Sequence, residues 1–205
     1  MLFVADEPAL VIGKYLVVSD LHIGIESEYR KAGFSLEPHA ESMAERINSI
    51  ASDYGCSKVV LNGDTKHSIF GGRTVELVGK FLSMLEPEPV LVRGNHDAGL
   101  DRIAHMKSQL RIGSIVVAHG HARIRGEWET AVIGHNHPCV EIKDRLGSTY
   151  RMPAWVDGTA KGKRVIIMPA FSRLAGCHPV SAGFQGPVAS GINEYRLFLL
   201  DGTEL

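Results

Sequence analysis

Tyr15-Leu16-Val17-Val18-Ser19-Asp20-Leu21-His22 decides the architecture. An apolar, β-forming run leads straight into Ser-Asp-Leu-His, so a buried strand ends by delivering a carboxylate and an imidazole. The same grammar recurs downstream. Lys58 to Asn62 (KVVLN) runs into Gly63-Asp64, and Pro89 to Arg93 (PVLVR) into Gly94-Asn95-His96-Asp97. Ser114 to Ala118 (SIVVA) runs into His119-Gly120-His121, and Ala131 to Ile133 (AVI) into Gly134-His135-Asn136-His137. Each run is rich in β-branched residues and too short for a stable helix. Arg164 to Met168 (RVIIM) and Tyr195 to Leu200 (YRLFLL) read as strands without polar cargo.

Helical spacing fills the gaps between the early strands. Glu37 to Tyr54 places Ala40, Met43, Ala44, Ile47, Ile50 and Ala51 on one face, with Pro38 in the first turn and Gly55 at the end. Thr74 to Leu85 does the same with Val75, Val78, Leu82 and Leu85, and Glu86-Pro87-Glu88-Pro89 stops it. The first half therefore reads β-α-β-α-β and the second half mostly β. No repeat or polar linker divides the chain, so residues 1–205 read as a single α/β domain. Gly176 to Gly191 (GCHPVSAGFQGPVASG) reads as a surface loop packed over the sheets, longer than the usual connection.

With 205 residues, 44% hydrophobic and 22% charged, the composition is that of a globular protein and excludes wholesale disorder or a membrane-embedded body. The amino end lacks a basic segment before an apolar one, so no secretory signal is read. Cys56, Cys139 and Cys177 are an odd number at wide spacing, forming neither a disulfide framework nor a CxxC knuckle. They read as core residues, and a cytoplasmic location is expected. The net charge of −1 hides an uneven distribution: residues 100–175 hold 12 Lys/Arg against 6 Asp/Glu. That is either a solvated surface or a positive rim beside an acidic centre, suited to a phosphate-bearing substrate. Lys66, Arg123, Arg125 and Arg173 are the rim candidates, and Arg93 is either a strand exit or a phosphate clamp.

Side chains at the carboxyl ends of strands in an open α/β sheet share one crevice. Here those ends deliver Asp20, His22, Asp64, Asn95, His96, His119, His135 and His137. Setting His96 aside, the rest are carboxylate, amide and imidazole donors without a thiolate, a set suited to Mn²⁺, Fe²⁺, Zn²⁺ or Co²⁺. One ion needs four to six ligands, some of them water. The surplus points to two divalent ions sharing a carboxylate, about 3.5–4 Å apart, as in two-metal phosphoryl chemistry.

The series DLH (20–22), GD (63–64), GNHD (94–97), the strand-end His119 and GHNH (134–137) resembles the calcineurin-like metallophosphoesterase superfamily, in family order, over about Lys14 to Val140. The resemblance implies a four-layer α/β/β/α sandwich of two mixed sheets flanked by helices. It implies that Asp20, His22 and His137 hold one metal, that Asn95, His119 and His135 hold the other, and that Asp64 bridges them. His96 would face the phosphate, stabilising its charge or protonating the leaving alkoxide. Glycines 63, 94 and 134 would let the backbone turn near the ions. His67 follows Asp64 by three residues, where phosphoprotein phosphatases of this fold carry an aspartate. A histidine there resembles the SbcD-type DNA repair nucleases, in which it contacts the substrate phosphate. SDLHIGIE, GDTKHSI and PAFSRLAG (169–176) are closer still to the SbcD-related archaeal phosphoesterases and the DNA-ligase-associated phosphoesterases.

The expected activity is phosphodiester hydrolysis by attack of a metal-bridging hydroxide, with two divalent ions per chain. Mn²⁺ is the leading choice and Fe²⁺, Zn²⁺, Co²⁺ or Ni²⁺ are alternatives. The expected partner is a phosphodiester, with single-stranded DNA or RNA ends among the candidates, and no membrane. The competing readings are a small-molecule phosphodiesterase for cyclic nucleotides or nucleotide diphosphates, a single-metal hydrolase, and an inert scaffold of the same fold. His39, His105 and His178 need no special role. His121 is either a partner to the site or a surface residue, and Trp128 and Trp155 are read as core rather than as stacking platforms.

Overall fold

In the computed structural model, which describes residues 1–37, 39–67 and 72–205, the chain builds two mixed sheets pressed face to face. The first holds β1 (Leu2–Phe3), β2 (Ala9–Ile12), β3 (Tyr15–Val18), β4 (Lys58–Asn62), β5 (Glu88–Val92) and β6 (Met106–Lys107), in that order. From β3 to β6 the strands are parallel, so Asp20, Asp64 and Asn95 follow strands that end at one edge. The crossovers carry α1 (Glu26–Lys31) and α2 (Ala40–Asp53) between β3 and β4, and α3 (Gly72–Ser83) between β4 and β5.

The second sheet holds β7 (Leu110–Ile112), β8 (Ile115–Ala118), β9 (Thr130–Ile133), β10 (Pro138–Lys143), β11 (Thr149–Ala160), β12 (Lys163–Ile167), β13 (His178–Pro179) and β14 (Ile192–Leu199). Its order is β13-β10-β11-β12-β9-β8-β7, with β14 paired to β11. β8 and β9 are parallel with Ala118 opposite Ile133, so His119 and Gly134 leave the sheet side by side.

Period-2 alternation sorts the strand residues into layers. Val17, Val60, Val92, Val117, Val132 and Ile166 point into the seam between the sheets, where Trp155 and Met168 join them. Their neighbours Leu16, Val18, Val59 and Leu61 face the helices and meet Met43, Ala44, Ile47, Val78 and Phe81. On the far side of the second sheet, Val116, Ala131, Ile133 and Val165 pack against Trp128, Val180, Phe184 and Val188. That outer layer is made of short 3₁₀ turns and the tail, whereas α2 and α3 pack on the other flank. The Gly-rich segment 176–191 is thus a cover for the second sheet. Among the described residues no helix is long and apolar enough to cross a membrane.

Several boundaries differ from the pattern in the sequence. α2 starts at Ala40, and Pro38, expected in its first turn, lies outside the described residues. α3 begins earlier and ends earlier than Thr74–Leu85, and the fully buried Phe81 belongs to its inner face. The outer part of the β10–β11 hairpin shows exposed residues in an unbroken series, so it carries no alternation to read. Trp155 is core, edge-on to Phe3 at 4.8 Å, but Trp128 is only half-buried. Lys66 is fully buried and belongs to no surface rim, and Arg93 faces Asp101 at 3.9 Å.

The cysteines overturn one part of their sequence reading, the absence of a disulfide, while Cys56 and Cys139 are core as expected. Cys139 and Cys177 form a disulfide across 38 residues, while Cys56 is free and buried. Wide spacing in sequence hid the pairing, because β13 returns the tail parallel to β10 with Pro138 opposite His178. Closing a loop of that length removes denatured-state entropy worth about 4 kcal/mol in the chain-entropy account. Cys177→Ser, or reduction of the native chain, is expected to lower unfolding free energy by about 2–4 kcal/mol. Denaturant midpoints with and without a dithiol reductant measure it, and coincident midpoints would show that the bridge contributes nothing.

Candidate metal centre

The strand ends converge along the shared edge of the two sheets. Asp20, His22 and His137 bring their ligand atoms within 4.8 Å of one another, and so do Asp64, His119 and His135. The first group is tight: His137 Nε2 lies 3.1 Å from Asp20 Oδ1 and 3.3 Å from His22 Nε2. In the second, His119 Nε2 lies 3.3 Å from Asp64 Oδ2 and 3.2 Å from Asn95 Oδ1. Asp64 Oδ2 also stands 4.0 Å from His22 Nε2, so this carboxylate reaches both groups. Asp20 reaches across too, 3.7 Å from His119 Nδ1.

Backbone geometry aims these groups. Asp20, His22, Asp64, His135 and His137 all have positive φ, between 43° and 69°. A non-glycine residue in that region is strained by roughly 1–2 kcal/mol, and such strain gathers where a site needs a side chain turned out of its strand. Gly94 and Gly134 serve by a different route from the sharp turn expected of them. A Cβ on Gly94 would collide with the backbone nitrogen and Oδ1 of Asp64, and one on Gly134 with Ser19 Oγ and Asp20 Oδ2. They permit close approach; of the three expected turn glycines, only Gly63 has positive φ.

Supporting groups hold the ligands in place, and Ser19, Asn62, Asn136 and Gln185 among them escaped the sequence reading. Ser19 Oγ–H donates to Asp20 Oδ2 at 2.7 Å, and the His135 N–H donates to the same oxygen at 3.1 Å. His119 Nδ1 lies 3.1 Å from the Asn62 carbonyl, which directs Nε2 at the second group. Asp97 accepts from the Gly94 N–H at 2.8 Å and the Lys66 N–H at 3.2 Å, closing the GNHD loop rather than joining the ligands. Asn136 and Gln185 exchange hydrogen bonds of 2.7 and 3.2 Å, pinning the GHNH loop to the tail. The signal for Ser19 and Asn62 was present, since each is a polar residue inside or ending an apolar strand.

His67 and His96 flank the first group. His96 Nδ1 lies 2.6 Å from the His67 carbonyl and its Nε2 3.9 Å from Asp64 Oδ2, while its N–H donates to Asp64 Oδ1 at 2.9 Å. His67 Nδ1 is 3.3 Å from His22 Nδ1. His121 sits beside the second group, its ring 5.3 Å from that of His119, with a buried Nδ1 that has no hydrogen-bond partner among the described residues. The structure thus brings the nine sequence-expected residues into one edge.

The electrostatics suit cations. Burial alone would raise the Asp20 carboxyl, but His137 and His119 hold it far below the usual carboxylate range. Asp64 is lowered as well, against its burial, by His119 and the His96 N–H. Burial opposes charge on His119, yet Asp20 and Asp64 outweigh it and push the imidazole up to about 9; His137 is raised by Asp20 in the same way. Burial lowers His22 to about 4. Protons on His119 and His137 therefore occupy the place where the donor set, two carboxylates and a ring of imidazoles with converging lone pairs, fits divalent ions.

A family model described as calcineurin-like phosphoesterase matches residues 13–164. The chain belongs to that family. The fold resembles that in the crystal structure of the Pseudomonas putida nuclease MPE, with a TM-score of 0.62 at 21% identity over 94% of this chain and 88% of that one. A conserved uncharacterized protein from Streptococcus pneumoniae TIGR4, a predicted phosphoesterase, gives a TM-score of 0.35 at 13% identity, covering 93% and 91% of the two chains. No curated protein sequence matches the chain.

The opposed imidazole shifts give metal-free protein a stability optimum near pH 6.5. Above it, His119 and His137 lose protons the fold holds more tightly than the unfolded chain, so stability falls through pH 9. Below it, His22 resists a proton the unfolded chain accepts, so stability falls toward pH 4. Each limb should amount to a loss on the order of 2 kcal/mol. Thermal melts in chelator across pH 4–9.5 measure both limbs, and a divalent ion should abolish the alkaline one by displacing those protons. A flat profile would contradict this charge assignment.

Proposed function

We propose that this calcineurin-like phosphoesterase is a phosphodiesterase working with two divalent ions, Mn²⁺ foremost. Asp20, His22 and His137 would hold one ion, and Asn95, His119 and His135 the other, with Asp64 shared. The observation that carries this reading is the position of Asp64 Oδ2 between the two ligand groups, 3.3 Å from His119 and 4.0 Å from His22. When bound, such a pair supplies an activated water as nucleophile and positive charge for the phosphoryl oxygens.

The chain's own residues do the rest. Nδ1–H of His96 donates to the His67 carbonyl, which fixes the ring and leaves Nε2 facing the site. Protonated at Nε2, His96 can give that proton to the departing alkoxide. Burial and the neighbouring His96 lower His67, so it is neutral near pH 7 and suited to hydrogen-bond a phosphoryl oxygen without adding charge. A diester offers one fewer anionic oxygen than a monoester, in keeping with a neutral imidazole at this position. The likeness of the fold to that of a nuclease agrees with this choice of ester.

Turnover of bis-(p-nitrophenyl) phosphate against p-nitrophenyl phosphate in Mn²⁺ tests the proposal. The diester should be the better substrate. Asp64→Ala should lose at least ~10³-fold in kcat/KM, and His67→Asp should lose roughly 10²-fold on the diester. Preference for the monoester together with an indifferent His67→Asp would overturn the diesterase assignment, and full activity with one ion per chain would overturn the paired centre.

A further inference from the structure

We infer that the Cys139–Cys177 bridge is a thiol–disulfide exchange site, opened at Cys177 by an anionic low-molecular-weight thiol, and that its opening frees the GHNH loop and weakens the hold on divalent ions. The last step rests on the paired-metal reading, whereas the exchange and the release of the loop do not.

The bridge meets the ligand loop at both of its ends. Cys139 follows His137 by two residues, and Cys177 precedes His178, whose N–H donates to the His137 carbonyl at 2.9 Å. The rest of the attachment is slight. β13 pairs with β10 through two residue pairs, and Pro138 and Pro179 are two of those four residues, with no N–H to give. The Asn136–Gln185 hydrogen bonds add a second hold, and the covalent tie is the strongest. His135 and His137 need such holds, because both keep a positive φ, 69° and 43°, which persists only where the surroundings impose it.

Access is one-sided. Cys139 is fully buried, whereas Cys177 is half-buried and lines two cavities of about 330 and 310 Å³, both of which also touch His137. An incoming thiol therefore reaches the Cys177 sulfur. In the larger cavity Arg46, Arg151 and Arg173 stand against Asp6. Arg46 is held by Glu7, and Arg151 meets Glu141 at 3.0 Å in a solvated pair. Arg173 is exposed and has no ion-pair partner among the described residues. That set of guanidinium groups favours a thiol carrying a carboxylate or sulfonate. Its thiolate forms a mixed disulfide with Cys177 and expels the Cys139 sulfur. A second thiolate then attacks the small thiol's sulfur in the adduct and releases Cys177. Two small thiols leave joined as a disulfide, and the two protons they gave up end on Cys139 and Cys177.

Treatment of the full chain with 2-mercaptoethanesulfonate, followed by acid quench and peptide mapping, should find the adduct on Cys177. An adduct on Cys139 alone overturns the assignment. After division by each thiol's rate with neutral 2-hydroxyethyl disulfide, this anionic thiol should open the bridge roughly tenfold faster than cationic cysteamine. Arg173→Ala should remove most of that difference, and equal corrected rates in the native chain would overturn the anionic preference. Reduced protein, freed of thiol under argon, should bind Mn²⁺ roughly tenfold more weakly than oxidised protein. Amides 134–137 should lose protection from hydrogen exchange while those of β3 and β4 keep theirs. Cys139→Ser should match the reduced form under all conditions, and Cys56→Ala should respond as the native chain does. Equal Mn²⁺ affinity and equal exchange at 134–137 in the two redox forms overturn the inference. So does loss of protection in β3 and β4 as well, which would mark general destabilisation. If neither form binds a divalent ion, the paired-metal reading fails instead, and exchange at 134–137 alone judges the release of the loop.

Discussion

Two carboxylates buried together set the terms for this molecule. Asp20 and Asp64 are almost wholly withdrawn from water at the ends of adjacent parallel strands, where uncompensated charge would cost several kcal/mol per group. The compensation comes mainly from imidazoles delivered by the other sheet, His119 and His137. The two sheets are therefore tied by charge as well as by the apolar seam of Val17, Val60, Val117 and Val132. Removing that charge balance would leave the seam intact and its upper edge repelling itself.

Much of this was legible in the sequence because strand and cargo are contiguous. A strand such as YLVVS must be buried, and the next residue must then emerge at its end, so Asp20 and its counterparts could be placed without any structure. Less legible was how each group turns toward its neighbours. Five of the donors adopt left-handed backbone conformations, and nothing in the letters Asp or His announces positive φ. The glycines misled in the opposite direction: Gly94 and Gly134 are required by what lies against them, a relation that only the assembled sheets create.

Long-range pairing was the other blind spot. Cys139 and Cys177 look unrelated until β13 lies beside β10. The sequence placed the glycine-rich tail over the sheets but not which of its residues would cover the second one, because Val180, Phe184 and Val188 are scattered through it with no period to read. His121 stayed ambiguous for a related reason: its ring lies near His119, yet its buried Nδ1 meets no partner among the described residues.

The tail's grip on the GHNH loop has a consequence for the order in which the protein comes into being. The last donor in sequence is His137, but the loop that aims it is held from beyond itself. The His178 N–H bonds the His137 carbonyl, Gln185 pairs with Asn136, and Cys177 bridges to Cys139. A nascent chain that has exposed every donor still lacks the segment that fixes two of them. Completion of the centre therefore waits on the carboxyl-terminal part of the chain, and a polypeptide truncated after β12 would carry all its ligands without the means to hold them in register.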